Sequence, residues 1–382
     1  MKILIASYYA GFHGAAERWM YNSTKQLREE GFVMRGSFRK TARGSEKFLK
    51  EFDTVGAFEG QAADCDLVLL NKMPEIPLLK RALSCFPHKL ALMVHDHDYY
   101  CPRRQKCRPG QKRCCTKPYR YLSCGLCGIS VAPAHWHGGF GCAFEEKFLT
   151  FPNRFKLFRQ IPRFAVLSES MKRNLIINGI EEERITVIPP HIEIPMVEHV
   201  GTIDGGPPVI LFSGPMIRGR GGDRFLHVLT KLKEPYRARL LGDGHDWDLF
   251  LALSSQLKVR GNVEFAGWQE NPETCFTTSD IAAFPFHSQE PFSMEGLTAG
   301  AYGLPIVASR SGGAEEFVAD GQTGFLVPPG DLDAMAEKLD ILLKDARLRR
   351  QFGEAGRFYI TETFTRERFL NGVRTLAESV GW

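Results

Sequence analysis

Two doubly wound α/β domains are the fold the sequence predicts, and three observations predict it. Short continuous apolar runs alternate with helix-length amphipathic segments along the whole chain. A stretch rich in proline and glycine interrupts that alternation near the middle, and the same alternation then restarts. At 382 residues the chain also exceeds what a single core normally serves.

Taken in order, "KILIAS" (2–7) is a buried strand and "AAERWMYNSTKQLREEG" (15–31) an amphipathic helix ending at Gly31. "DLVLLN" (66–71), "KLALMVHD" (89–96) and "RFAVLS" (163–168) are further strands, with "ESMKRNLIING" (169–179) a helix between them and the break. That break, 185–208, holds five prolines and three glycines. The second half gives strands at "PVILFSG" (208–214), "RARLLGDG" (237–244), "NVEFAGW" (262–268), "DIAAFPF" (280–286) and "GFLVPP" (324–329), with helices through "DRFLHVLTKL" and "WDLFLALSSQLK". Several of these strands end in Gly, Pro or His at the carboxyl edge, where open α/β sheets hold ligands. The expected division is a first domain over 1–190, a linker over 191–207, a second domain over 208–365, and a closing helix over 366–382 that packs back toward the first domain.

Composition narrows the class. With 43% hydrophobic and 24% charged residues the protein reads as globular. No apolar run reaches the roughly 18–20 residues of a membrane-spanning helix, and the opening run breaks at Tyr8, Tyr9 and Gly11 without a cleavage pattern. A cytoplasmic protein, at most peripheral to a membrane, is the expectation. The net charge of +5 is unevenly placed: between Cys101 and Ala143 stand eight Lys or Arg residues and no acid, a field that attracts phosphate groups or an anionic lipid surface. Nucleic acid is not the expected partner, because the basic stretch lacks finger spacing and has few aromatics to stack on bases.

The stretch "EPFSMEGLTAGAYGLPIVASRSGG" (290–313) carries the most chemistry. Glu290 stands at the mouth of a strand-and-helix unit whose helix begins near Ser293. Unpaired N–H groups and a partial positive charge at a helix start suit a phosphate, while the carboxylate can accept hydrogen bonds from sugar hydroxyls. Gly296, Ala299, Gly300 and Ala301 let that helix lie close to the sheet.

This stretch, continued through "AEEFVADGQTGFLVPPGD", resembles the donor-site signature of the retaining GT-B glycosyltransferases of family GT4. "GAAERW" (14–19), "VHD" (94–96), "LSESMKRNLIINGI" and "LLGDGHDWDL" are similar to other motifs of that family in order and spacing. The resemblance implies a GT-B fold, two Rossmann-like domains facing across a cleft, and transfer of a sugar from a nucleotide-diphosphate-sugar donor to a saccharide or lipid-linked acceptor with no catalytic metal. It implies that Glu290 contacts the donor sugar, that Ser293 and Met294 offer backbone N–H groups to the diphosphate, and that Arg220 binds the diphosphate as a bidentate cation. His95 would line the reacting centre. Gly14, Gly214, Gly244 and Trp268 complete the expected donor-binding set.

The sequence departs from the family pattern twice. Thr298 stands where a second glutamate would accept from the ribose, so its hydroxyl, or Glu295 one turn earlier, is expected to substitute. Pro215 replaces an arginine, a charge that Arg218 could restore. These departures motivate an alternative, a catalytically silent binding or scaffold protein, and an inverting enzyme is a further one.

Seven of the ten cysteines fall between Cys101 and Cys142, with Cys124 and Cys127 in C-x-x-C spacing. In a reducing compartment such clustering suggests a metal before disulfides. A structural zinc ion held by ligands drawn from Cys107, Cys114, Cys115, Cys124 and Cys127 is the expectation, with an iron–sulfur cluster, reduced thiols or disulfides as alternatives. The insert (101–142) leaves the first sheet directly after "VHDHDYY" and is expected to shape acceptor choice.

Overall fold

The computed structural model describes residues 1–12, 14–72, 75–107, 114–130, 144–193, 195, 199–202, 204–217 and 219–382. The chain forms two compact units. The first comprises Met1–Arg104, Thr116–His191 and Arg366–Trp382, the second Gln105–Cys115 and Ile192–Thr365. The stretch read from sequence as one insert is therefore divided: Gln105–Cys115 belongs to the second unit and Thr116 onward to the first.

The first unit is built on seven parallel strands, β1 (Lys2–Ala10), β2 (Val33–Thr41), β3 (Thr54–Val55), β4 (Leu67–Asn71), β5 (Leu90–Val94), β6 (Arg163–Val166) and β7 (Ile185–Val187), in the order β3-β2-β1-β4-β5-β6-β7. Every residue of β4 and β5 is buried, as continuous apolar runs require of a sheet covered on both faces. Leu92, Val94 and Phe164 are wholly buried between the sheet and its helices, and each contributes about 1.5–3 kcal/mol through that burial. Helix Ala15–Glu29 lays Trp19, Met20 and Leu27 on the sheet. It ends where Gly31 takes φ +85°, with Gly31 N–H on Arg28 O (2.9 Å) and Phe32 N–H on Leu27 O (3.0 Å). These two bonds make a Schellman cap, which a left-handed residue after the helix permits. The closing helix Arg366–Glu378 belongs to this unit. Arg366 reaches Glu29 (3.0 Å) and Glu30 (3.1 Å), and Arg163 donates to Ser379 O at 2.9 Å.

The second unit repeats the plan with six strands, β8 (Val209–Ser213), β9 (Arg237–Leu241), β10 (Val263–Gly267), β11 (Ile281–Phe284), β12 (Ile306–Ser309) and β13 (Gly324–Val327), ordered β10-β9-β8-β11-β12-β13 and all parallel. Its core joins Ile210, Phe212, Phe225, Ala283 and Val307. Chain order reverses between β8 and β11, and the loops leaving the carboxyl ends of such a pair diverge and open a crevice. In this unit those are the loops that carry Arg220 and Glu290. The turn after β9 must pass the turn after β8 backbone to backbone: a Cβ on Gly242 would lie 2.1 Å from Gly214 O, and one on Gly244 2.5 Å from Met216 O. The glycines of "FSG" and "LLGDG" thus set how closely the two loops approach.

Candidate functional site

Arg220 and Glu290 meet at the switch point of the second unit. The β8 loop turns through Gly219 (φ +92°) and Gly221 (φ +105°), places Arg220 between them, and starts helix Gly222–Leu229. A Cβ on Gly221 would lie 2.8 Å from Pro285 O, so this loop runs against the one leaving β11. Arg220 Nη1 donates to Glu290 Oε2 at 3.3 Å. Only 5% of the Glu290 side chain is exposed, against 43% for Arg220, so the carboxylate sits under an open guanidinium. Burial raises the Glu290 carboxyl above the ordinary glutamate range, with Glu295 adding to the rise, while Arg220 and the Phe292 N–H oppose it.

Three residues past Glu290, Ser293 caps helix Met294–Ala301, its Oγ accepting from Gly296 N at 3.0 Å. Ser293 and Met294 are buried, and Gly296 packs so closely on Phe317 that a Cβ would lie 2.5 Å from its ring. Small residues on this helix therefore do bring it onto its neighbours. The Thr298 hydroxyl donates back to Met294 O at 2.8 Å and keeps its lone pairs for an outside donor. Glu295, half-buried, lies 3.5 Å from Ser293 Oγ. Trp268 is half-buried just beyond β10, and Arg218 lies outside the described residues. The second unit thus gathers Gly214, Arg220, Glu290, Ser293 and Met294 on the loops and helix start at its carboxyl edge.

His95 and Gly14 belong to the first unit. Gly14 is the extended residue before helix Ala15–Glu29. His95 follows β5 half-buried, its Nε2 donating to Asn71 Oδ1 at 2.6 Å and its ring edge-on to Trp19 at 5.0 Å. Burial pushes this imidazole down to about 3, opposed by Asp96 and aided by Lys72. It is a neutral hydrogen-bonding group at any physiological pH. Of the nearby acids, Asp96 pairs with Lys72 at 3.0 Å and accepts the Asp98 N–H at 3.0 Å. The lowered His95 value fixes a pH dependence. Unfolded protein protonates this residue below its ordinary 6.5 and folded protein only near 3, so the stability it contributes is complete above pH 6.5 and is lost as pH falls toward 3. Denaturant titrations of wild type and His95→Phe are expected to diverge across that window, the wild type losing stability faster, and ¹H–¹⁵N spectra should show His95 neutral at pH 5.

Among the described residues the cysteines do not assemble the zinc set expected from sequence. Cys107 and Cys114 oppose each other as an isolated antiparallel bridge in the second unit, whereas Cys124 and Cys127 lie on helix Tyr121–Ile129 of the first. Among the described residues no three His, Cys, Asp or Glu are grouped to hold a metal ion. On helix Tyr121–Ile129, Gly125 and Gly128 pack against Phe148 and Lys147, and a Cβ at Gly125 would stand 2.6 Å from the Phe148 ring. Cys142 lies outside the described residues. What the sequence reading missed is the engagement of the second unit by Gln105 and Cys114. Basic and cysteine-rich composition drew attention to the stretch, and only the tertiary contacts give it a place.

Comparison with known proteins fits this geometry. Residues 197–358 match the family model described as Glycosyl transferases group 1. The matched residues all fall within the second unit. The chain is 30% identical over 172 residues, 45% of its own length and 50% of the relative's, to the lipopolysaccharide core biosynthesis glycosyltransferase LpsE of Rhizobium meliloti. It is 33% identical over 152 residues, 40% and 39% of the two chains, to the N-acetyl-alpha-D-glucosaminyl L-malate synthase of Bacillus anthracis. The chain spans half or less of the length of these curated relatives. Among solved structures, Anabaena HepE in complex with UDP has a TM-score of 0.73 at 18% identity, covering 99% of this chain and 100% of that one. A glycosyltransferase from Rickettsia africae has a TM-score of 0.70 at 16% identity, covering 99% and 98%. The fold shared with these structures is GT-B, two Rossmann-like units with parallel sheets of seven and six strands.

Proposed function

We propose that this protein is a retaining glycosyltransferase that moves a sugar from a nucleotide-sugar donor to a saccharide or lipid-linked acceptor without a metal at the transfer step. The observation that carries the reading is the Arg220–Glu290 pair at the switch point of the group 1 domain, beside the capped helix start at Ser293. A nucleoside diphosphate leaving a sugar accumulates negative charge on its terminal phosphate. A half-exposed guanidinium and the first amides of a helix are fixed, preorganised partners for that charge. Glu290, held by Arg220 until a ligand enters, then accepts from sugar hydroxyls and sets the orientation of the anomeric carbon.

In the transfer the bond from anomeric carbon to phosphate oxygen breaks and the bond to the acceptor oxygen forms on the same face. The acceptor proton passes to the leaving phosphate oxygen. The group 1 family match and relatives named for polysaccharide and lipopolysaccharide synthesis support this reading. So does a structural neighbour whose complex contains UDP-glucose. His95, as a neutral imidazole, is assigned a hydrogen bond to the transferred sugar. No helix among the described residues is long and apolar enough to cross a membrane, and contact with a lipid-linked acceptor is assigned to the peripheral face of a bilayer.

The test is a thermal-shift panel of UDP-, GDP- and ADP-sugars. A donor that binds only folded protein at a hundred times its Kd adds about 2.7 kcal/mol, which is expected to raise the melting temperature of wild type but not of Arg220→Ala. Anomer analysis of the product then separates retention from inversion. If no nucleotide sugar shifts the transition, the reading fails.

A further inference from the structure

The segment Gln105–Cys115 has no place in the chemistry derived so far, yet it packs into the second unit beside the proposed donor site. Three contacts hold it, and a fourth lies within it. The Gln105 carbonyl accepts the Gln289 N–H at 3.1 Å, immediately before Glu290. The Gln105 side-chain amide lies over Gly219, 2.7 Å from where a Cβ there would stand, immediately before Arg220. Cys107 Sγ, 3.5 Å from Gln105 Oε1, fixes that amide from behind. Cys114 Sγ lies 3.1 Å from Ser311 Oγ.

Ser311 is the hub of this arrangement. It is buried, its hydroxyl donates to Ser288 O at 2.7 Å, and its oxygen accepts the Glu290 N–H at 3.4 Å. Ser288 Oγ in turn donates to Gly219 O at 3.2 Å. The described ends of this stretch therefore touch both loops that present the Arg220–Glu290 pair, one through Gln105 over Gly219 and the other through Cys114 and Ser311. Burial raises the Cys114 thiol above the ordinary range, so it remains a neutral, hydrogen-bonding S–H.

We infer that Gln105 and Cys114 are positioning residues for the donor sugar: the segment is a strap that holds Glu290 at the height where its carboxylate meets sugar hydroxyls, acting through Ser311 and the backbone of 288–290. The inference rests on the donor-site reading above, and it gives the cysteine-bearing stretch a thiol role that needs no metal.

Because the Cys114 thiol reaches Glu290 through Ser311, whereas the Gln105 amide lies against the Arg220 loop, removing the thiol should act on the sugar and spare the nucleotide. For Cys114→Ala, kcat with whichever of UDP-glucose, GDP-mannose or ADP-glucose the wild type turns over is expected to fall about tenfold, the scale of one net hydrogen bond. The Kd of the matching nucleoside diphosphate should stay within about twofold of wild type, since that ligand lacks the group Glu290 holds. Cys114→Ser, which keeps a hydroxyl for Ser311, should recover most of the loss, and Cys85→Ser, at an exposed cysteine, should change nothing. Hydrogen exchange in peptides covering 288–293 of the ligand-free protein should quicken in Cys114→Ala and not in Cys114→Ser. Unchanged exchange, or unchanged kcat with faster exchange, overturns the inference. A wild type that turns over none of the three donors defeats the donor-site reading instead, while the exchange experiment still reports whether the strap orders the loop.

Discussion

Glu290→Gln is expected to lower turnover about a hundredfold, the cost of a misplaced reacting centre, and at the same time to make the protein more stable at neutral pH. The sign of the second effect follows from burial. With its folded carboxyl raised above the ordinary 4.5, an ionised Glu290 costs folding energy at pH 7. That cost shrinks as pH falls through the raised value and is gone below the unfolded one, where both states carry the proton. Glutamine removes it, so the stability advantage of the variant should be present at pH 7 and absent at pH 4. Urea titrations at the two pH values measure this, and an equal difference at both would show that the carboxylate is not ionised against its surroundings. Arg220→Ala should cost about 10²–10³ in kcat through the leaving diphosphate. Because the two side chains touch, the double variant should lose less than the product of the single losses.

The second large effect is expected at a residue with no side chain. Gly312 takes φ +61°, and a Cβ there would lie 2.0 Å from Glu290 O and 2.9 Å from its carbonyl carbon. These are backbone atoms with nowhere to retreat, since Gly313 N–H already donates to Glu290 O at 2.8 Å. Gly312→Ala combines left-handed strain of about 1–3 kcal/mol with a clash that only a shift of the Glu290 loop relieves. Gly321 supplies the control: its φ is +74°, with nothing within 4 Å of an added Cβ, so Gly321→Ala carries the strain alone. Calorimetry is expected to show the melting transition of Gly312→Ala falling by roughly 6 °C or more, at about 2–4 °C per kcal/mol for a unit of this size, and that of Gly321→Ala falling by half as much or less. Equal shifts would mean that the Glu290 loop has slack, contrary to its contacts.

Much of the fold was legible because buried parallel strands cannot hide. β4, β5 and β8 are apolar at nearly every position since both of their faces are covered, and the period reads directly from the letters. β2 escaped notice for the opposite reason. "VMRGSFRKT" buries only Met34 and Gly36 and exposes its charged end, which imitates a polar loop. β7 reads as part of the proline-rich break because only Ile188 separates its three residues from Pro189 and Pro190. At the candidate site Arg220 and Glu290 were legible from glycine spacing and family resemblance, both properties of contiguous sequence. The contact between Cys114 and Ser311 joins residues 197 apart in the chain, and nothing local in either segment announces the other. The zinc expectation finds no cluster among the described residues for the same reason: spacing proposes ligands, but only the fold decides which cysteines share a neighbourhood.

Because the first unit is completed by Arg366–Trp382 and the second by Gln105–Cys115, neither is a continuous stretch of polypeptide. Domains generally fold as they emerge from the ribosome, amino-terminal first. Here the earlier half of the nascent chain must wait for its final helix, and a plasmid cut at the proline-rich junction would encode two incomplete products. Recombinant halves should be soluble only if the closing helix is grafted onto the first and the strap onto the second.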